Sequence, residues 1–590
     1  MDINLPKIPV TVSLFGSVVW GSGVLRPEFN TRFREDASAC GGNVPQGSQP
    51  TVSDERIPPV DRTAWLPIGI VILTCWMPLA MRAEEPIATP TSITQSHPVP
   101  AADATTGRSA VEDHAGEPHP ADLDHSPAEA DSHGAGQDEH HGDDHGPKLG
   151  TLLPLWSMTP FAILLLAVAV FPLANPHWWE HNSSKALVAG LLAVPTALYL
   201  VTFGPAGTHA LWHAFEEYVS FVLLLGSLFV ISGGVYVRGR LAGTPLVNTG
   251  FLTIGTAIAS FVGTTGASML LIRPLLRANE TRNRVAHIVV FFIFTVSNCA
   301  GLLTPLGDPP LFLGFLKGVP FEWTFRLTPQ WLVVNAILLA VFFVWDTLVY
   351  RREKAAGEQE APLTTDPPQE QFGLEGVHNF LFLGAIIAII YCKGNGIGTG
   401  GKDWPPFLQE VLMLVTGVAS YLVTSPQLRI KNRFSFGPIN EVAVLFAGIF
   451  VTMIPALAIL NVQGKNLGIA SEWQFFWATG VLSSFLDNAP TYLTFAATAA
   501  GIHGVPADGK YLAEFLALPP ESGAAGILAA IACGAVFMGA NTYIGNGPNF
   551  MVKAIAEENN VRMPSFFGYM LYSGGILLPI FGIVTLVFFG

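Results

Sequence analysis

Charge is what this sequence has least of. Only 13% of its 590 residues are Asp, Glu, Lys or Arg, while 50% are hydrophobic. Soluble domains carry roughly 25% charged residues, so the composition argues against a water-soluble enzyme. Cysteine is scarce as well. Cys40, Cys75, Cys299, Cys392 and Cys533 are scattered without a CxxC pair, which leaves no disulfide framework and no zinc ribbon. Neither a nucleotide-binding Gly-rich loop nor a nucleophile–base motif is present. A formal net charge of −14 argues against nucleic acid as a partner. In abundance instead are aromatics, with 40 Phe and 13 Trp. Such a load needs lipid as well as a protein core, so the chain is counted in apolar spans of about 20 residues.

Residues 1–62 form an unassigned N-terminal extension mixing Pro, Gly, Ser and charge. The run 63–83 follows Arg62 and reads as a signal peptide or an anchor helix. The long segment before it favours an uncleaved anchor, or a start codon placed too early. Residues 84–150 are polar and repetitive. Eight of the 15 His lie between His97 and His145, among 12 Asp and Glu and a single Arg. That stretch cannot bury a core and is expected to be a disordered extracytoplasmic segment. His114, His119, His125, His133, His140, His141 and His145 could collect divalent metal loosely. The alternative is a solvated acidic spacer; no ligand spacing marks a fixed metal site.

From residue 155 onward long apolar runs recur. Spans are expected near 155–173, 185–203, 211–237, 284–303, 328–350, 377–391, 406–424, 437–460, 524–543 and 565–589. Two further runs, 246–276 and 473–500, are interrupted at Gly263-Thr-Thr-Gly266 and at Asp487-Asn-Ala-Pro490, and read as re-entrant hairpins. Basic clusters at Arg238/Arg240, Arg273–Arg284, Arg351–Lys354, Arg429–Arg433 and Lys553/Arg562 then all fall on one side, the cytoplasmic one. The expected fold is an all-α polytopic membrane protein.

The chain also repeats. Glu217 and Glu441 each open a long span, 224 residues apart, and the same offset lays Phe261–Ser268 on Phe485–Tyr492. Farther on, Ser297-Asn298 pairs with Ala540-Asn541 at an offset of 243. A first repeat over 155–350 and a second over 377–590 follow, joined by a cytoplasmic linker 351–376. Each holds about five spans and one re-entrant hairpin. The matched spans cross in opposite directions, an inverted repeat with broken helices at the midplane, as secondary transporters have.

Chemistry concentrates at the interruptions. In Ser297–Pro310, three prolines forbid a continuous helix, and Gly301 and Gly307 allow close backbone approach. Ser297, Asn298, Thr304, the backbone at Gly307 and Asp308 become oxygen ligands suited to Na⁺, and Asp308 could carry a proton; a turn at a span end is the alternative. The second break offers only neutral groups: Asn541, Thr542, Asn546 and Asn549. One hairpin tip carries Asp487, Asn488 and Thr491; the other carries Thr264 and Thr265 and no charge. An Asp within an apolar span costs about 3 kcal/mol to insert, which marks Asp487 as functional; capping a half-helix is its alternative role. Of the two Asp, Asp487 is expected to be the more sensitive to Asn substitution. Glu216, Glu217, Glu441, Arg273, His209, His213 and His287 read as structural.

With Thr-Pro-Leu-Gly-Asp, Asp-Asn-Ala-Pro and Glu-Val-Ala-Val-Leu-Phe-Ala-Gly-Ile-Phe in view, the chain over about 185–590 resembles the ion-transporter superfamily. Within it the likeness is to NhaD-type sodium/proton antiporters and citrate-transporter-like proteins. The resemblance implies a homodimer with a scaffold part and a transport part built around the hairpins. It places the ion and substrate sites at 297–308 and 541–549 and matches Asp308 and Asp487 to the acidic positions of the antiporter motifs. The dicarboxylate branch has Ser-Asn-Thr at both breaks; Ser297-Asn298-Cys299 and Ala540-Asn541-Thr542 each depart from it by one residue. The functional expectation is a multi-pass inner-membrane Na⁺/H⁺ antiporter without a cofactor, Na⁺ being the coupling or transported ion. A Na⁺- or H⁺-coupled symporter of citrate, metal–citrate or another small carboxylate is the alternative. A membrane-bound metal-dependent enzyme using the His-rich segment is a third class.

Overall fold

The structure, a computed structural model, describes residues 149–239, 241–357 and 373–590. The run 63–83, the histidines of the acidic segment, Arg240 and most of the linker lie outside the described residues.

The first repeat runs α1 (Thr159–Ala174), α2 (Asn182–Val201), α3 (Pro205–Ser232), α4 (Pro245–Val262), α5 (Thr264–Ala278), α6 (Ala286–Thr295), α7 (Pro309–Leu316) and α8 (Thr328–Ala356). The second runs α9 (Asn379–Gly394), α10 (Leu408–Val423), α11 (Gly437–Gln463), α12 (Glu472–Ser483), α13 (Asn488–Ile502), α14 (Ala524–Met538), α15 (Gly547–Glu558) and α16 (Phe566–Val584). Every element of the first half has its counterpart eight labels later. Among the described residues, nine helical stretches are long and apolar enough to cross a membrane, and α9 and α10 are shorter apolar helices. The fold is an all-α polytopic one; among the described residues the only sheet is a short antiparallel pair, β1 (Tyr236–Arg238) on β2 (Gly373–Glu375).

The halves are interwoven. α2 packs on α11 and, in the matching contact, α10 packs on α3. Lys185 of α2 reaches Glu441 of α11 at 2.9 Å, while Ser220 of α3 donates to Glu410 of α10. Glu441 therefore ties one repeat to the other, a fold role as its matched position suggested.

The repeats also run in opposite senses. Asn432, just before α11, donates to the carbonyls of Gly233 (2.9 Å) and Val235 (2.6 Å), just beyond α3. The packed pair α3 and α11 is thus antiparallel. Lys317, which ends α7, pairs with Glu217, roughly 22 Å up α3 from that end at 1.5 Å per residue. The end of α15 instead lies at the α3–α11 turn, with Glu558 4.0 Å from Arg433. The half-helices α7 and α15 point oppositely.

Both interrupted runs are hairpins. α4 and α5 meet at Gly263, whose φ of +80° suits glycine. α12 and α13 meet across Ser484–Asp487. The second interruption lies just ahead of the expected Asp487–Pro490: Asn488, Ala489 and Pro490 already form the first turn of α13, where a missing proline N–H costs no helical bond.

The basic clusters gather on one face. Arg277 donates to Tyr236 and to the Val237 carbonyl (2.7 Å), Lys431 meets Glu375 at 3.1 Å, and Arg429 donates to the Val230 carbonyl at 2.9 Å. Arg282, one of the expected cytoplasmic basic cluster, is buried there with Asp346 at 2.7 Å and Glu353 at 2.9 Å on α8. His287 joins Asp346 at 2.9 Å, a structural placement. Removing one member of such a buried set costs about 3–5 kcal/mol, because it strands the others.

Candidate functional site

The two broken helices are built alike. After α6, a tight turn over Cys299–Leu303 leads through an extended Thr304 (φ −139°, ψ 158°) to an extended Asp308 (φ −147°, ψ 144°), the residue just before α7. After α14, a turn over Gly539–Asn541 leads through Thr542 (φ −137°, ψ 169°) to Asn546 (φ −153°, ψ 141°), the residue just before α15. Gly301–Asp308 therefore matches Gly539–Asn546, at an offset of 238. This corrects the pairing of Ser297-Asn298 with Ala540-Asn541.

The shared chemistry explains the match. Thr304 donates to the Ser260 carbonyl and accepts from Leu306 N at 3.1 Å. Thr542 donates to the Ser484 carbonyl and accepts from Ile544 N at 3.2 Å. Both hydroxyls pin a break to the neighbouring hairpin. A Cβ on Gly307 would sit 2.1 Å from the Gly301 carbonyl oxygen, and one on Gly545 2.6 Å from that of Gly539. Only glycine lets each strand turn back so closely.

All four interruptions converge on Asp308, which is 1% exposed. One carboxylate oxygen accepts from Thr264 of the first hairpin (3.0 Å) and from the Asn546 amide of the other break (3.3 Å). The second oxygen accepts from the Asn488 amide of the second hairpin. Thr264 and Asn488 occupy matched positions, the first residues of α5 and α13. Among the described residues no Lys or Arg hydrogen-bonds to this carboxylate. A buried carboxylate held only by neutral donors is costly unless a cation or proton accompanies it.

Neutral amides continue the network. Asn546 also donates to Asn298 (3.2 Å) and to the Ser297 carbonyl (3.3 Å). Asn298 donates to Asn549 at 2.6 Å, and Asn549 to the Gly539 and Thr542 carbonyls at 2.9 Å. Ser297 meets Ser268 of α5 at 2.8 Å. Asn541 donates to Ser484 at 2.9 Å. The Asn488 and Asn541 side-chain oxygens are buried and have no hydrogen-bond partner. They are acceptors available to a cation or to a substrate donor.

Asp487 lies close enough to Asp308 for the two charges to act on each other, but its hydrogen bonds are its own. Its carboxylate accepts from Ala489 N at 3.0 Å, capping α13, and its carbonyl accepts from Thr491 at 2.8 Å. It is half-buried, and among the described residues it makes no hydrogen bond to the other interruptions. Thr265 lies outside the bonded network; with Gly263 and Thr264 it lines a cleft against Phe229 of α3 and Val442 of α11.

Sequence reading missed several supports. Ser260 donates to the Ala300 carbonyl and accepts from Leu303 N at 3.1 Å. Trp331 and Asn335 on α8 donate to the Ala300 (3.1 Å) and Cys299 (3.2 Å) carbonyls. Their matches 238 residues on, Tyr569 and Ser573 on α16, donate to the Ala540 (2.8 Å) and Asn541 (2.7 Å) carbonyls. The 238 offset was the signal that would have found them. The site is thus a polar junction, deep in an apolar helical body, where one carboxylate links both repeats.

A family profile described as "Putative citrate transport" matches residues 150–589, about three quarters of the chain. No curated protein matches it.

Proposed function

We propose, for a chain that belongs to this citrate-transport family of multi-pass membrane transporters, secondary active exchange of Na⁺ for H⁺. The observation that carries the reading is the Asp308 carboxylate, buried and bonded only to neutral groups from three other interruptions. Such a group takes either a proton or a cation, and exchange follows if the two compete for it. The side-chain oxygens of Asn488 and Asn541 supply further hard ligands near the hairpin tips. Arrangement in inverted halves, with breaks meeting at mid-depth, is how a transporter presents one site to each side in turn. The basic face lies in the cytoplasm by the positive-inside rule, which sets the His-rich segment outside. The protein acts as a homodimer in the bacterial inner membrane and needs no cofactor.

A second reading, cation-coupled uptake of citrate or a related carboxylate, is favoured by the family description and by the amide donors of Asn298, Asn546 and Asn549. Half-helix N-termini at Asp308 and Asn546 would attract an anion. The absence of a basic partner among the described residues of the network weighs against a bare polyanion and suits a metal-bound one. Two assays separate the readings. Everted vesicles carrying the protein should show Na⁺- or Li⁺-dependent collapse of a pH gradient. If they do not, and labelled citrate instead accumulates in proteoliposomes, the exchange reading is wrong.

A further inference from the structure

α8 carries a groove on its outward side near the basic face. Val341, Val344, Trp345, Leu348 and Arg352 line it at helical spacing, with Val344 58% and Leu348 50% exposed. At Trp345 and Val349 the groove adjoins a larger cavity of about 820 Å³, bounded by α8, the loop after α5 and the turn after α15. Tyr572 of α16 lies 5.9 Å from Trp345 and closes one wall. Neither space touches the polar junction around Asp308.

The cavity is basic and built. Arg277, Arg282, Arg284 and Arg562 line it, against Glu280 and Glu558. Glu558 already faces Arg433 at 4.0 Å. Arg282 is 6% exposed and neutralised by Asp346 and Glu353, yet its Nη2 is buried without a hydrogen-bond partner. Arg352 stands at the end of the adjoining groove. A basic pocket that opens onto an apolar, outward-facing groove matches one ligand chemistry: a phosphate joined to an acyl chain.

We infer that this composite site holds an anionic phospholipid of the leaflet on the basic side, its phosphate in the arginine cavity and an acyl chain along α8. A free phosphate would use the cavity and leave the groove idle. Basic pockets between helices on that side attract anionic headgroups, and each arginine contributes to the preference.

Native mass spectrometry of the purified full chain in detergent, with equal amounts of palmitoyl-oleoyl phosphatidylglycerol and phosphatidylcholine, tests the inference. Phosphatidylglycerol adducts should dominate, and the exposed pair R352Q/R562Q should reduce that preference about tenfold or more. A second variant, Leu348→Trp, fills the groove with the arginines intact and should reduce the adducts as well. Equal retention of both lipids by the unmodified protein would overturn the proposal. So would an unchanged preference in both variants. Inorganic phosphate raising the melting temperature as much as phosphatidylglycerol does would show a free-anion site instead. Loss of a dimer peak in Leu348→Trp, with adducts unchanged, would show that the groove is covered by a second copy.

Discussion

Asp308 and Asn546 occupy the same position in the two repeats and touch each other, the Asn546 amide donating to the Asp308 carboxylate at 3.3 Å. Each stands at the residue just before the half-helix after its break, with nearly the same backbone angles. The inverted halves therefore meet at one residue pair, charged on one side and neutral on the other.

That relationship predicts a transferable charge. Asp308→Asn alone should abolish exchange, while D308N/N546D returns one carboxylate to the junction and should recover part of it. Neither side chain makes a cap bond to its half-helix, and Asp and Asn are close in size, so the swap removes no cap and keeps the shape. Exchange rates in proteoliposomes, normalised to protein inserted, would decide. A double variant as inactive as the single one would mean that the two positions are not equivalent in function.

The two acidic positions should rank oppositely to the expectation from sequence. Asp487 caps its own helix at 3.0 Å, and asparagine caps as well as aspartate does. Asp487→Asn is expected to keep the fold and lower exchange less than Asp308→Asn. Asp487→Ala removes the cap and should cost about 1 kcal/mol of stability. Side-by-side Na⁺ titrations of the three variants would show the ranking; an inactive Asp487→Asn with normal melting behaviour would restore the first expectation.

Gly307→Ala should damage the fold rather than the chemistry. Its Cβ would lie 2.1 Å from the Gly301 carbonyl, so the break must open, at a cost of about 3 kcal/mol. Gly545→Ala meets Gly539 less closely, at 2.6 Å, and should cost less. Melting temperatures in detergent give the order, and equal values for the two would contradict it.

Arg282→Gln tests the buried charge set on the basic face. It leaves Asp346 and Glu353 without the arginine that each now meets within 3 Å, 2.7 and 2.9 Å respectively. A loss of about 3–5 kcal/mol is expected, whereas exposed Arg562→Gln should be nearly silent. Thermal unfolding of the two variants would show whether the set is stabilising.

The hairpins and breaks were legible because glycine, proline and aspartate interrupt apolar runs where nothing else forces them. The offset of 224 was legible too, since no insertion separates Glu217 from Gly263 relative to Glu441 and Asp487. The second offset was not. A longer loop with an added helix, Tyr511–Leu516, lies between α13 and α14 and shifts the match to 238. A shared Asn drew the alignment to Asn298 and Asn541, while the backbone answers to Thr304, Gly307 and their matches. Thr264, Asn488 and Asn546 were recognised as polar residues in apolar surroundings. Their convergence on one carboxylate was not readable, because it depends on contacts such as α7 with α13 and α5 with α15, which cross from one repeat to the other. Arg282 reads as a loop charge in sequence, and only the approach of α8 buries it.

The central claim is that Asp308 carries cation and proton in turn. Purified protein reconstituted in proteoliposomes with an internal pH dye, given a Na⁺ gradient, measures it most directly. The unmodified protein should move protons against the Na⁺ gradient, and Asp308→Asn, inserted to the same level, should move none. Proton movement at full rate in Asp308→Asn would contradict the account.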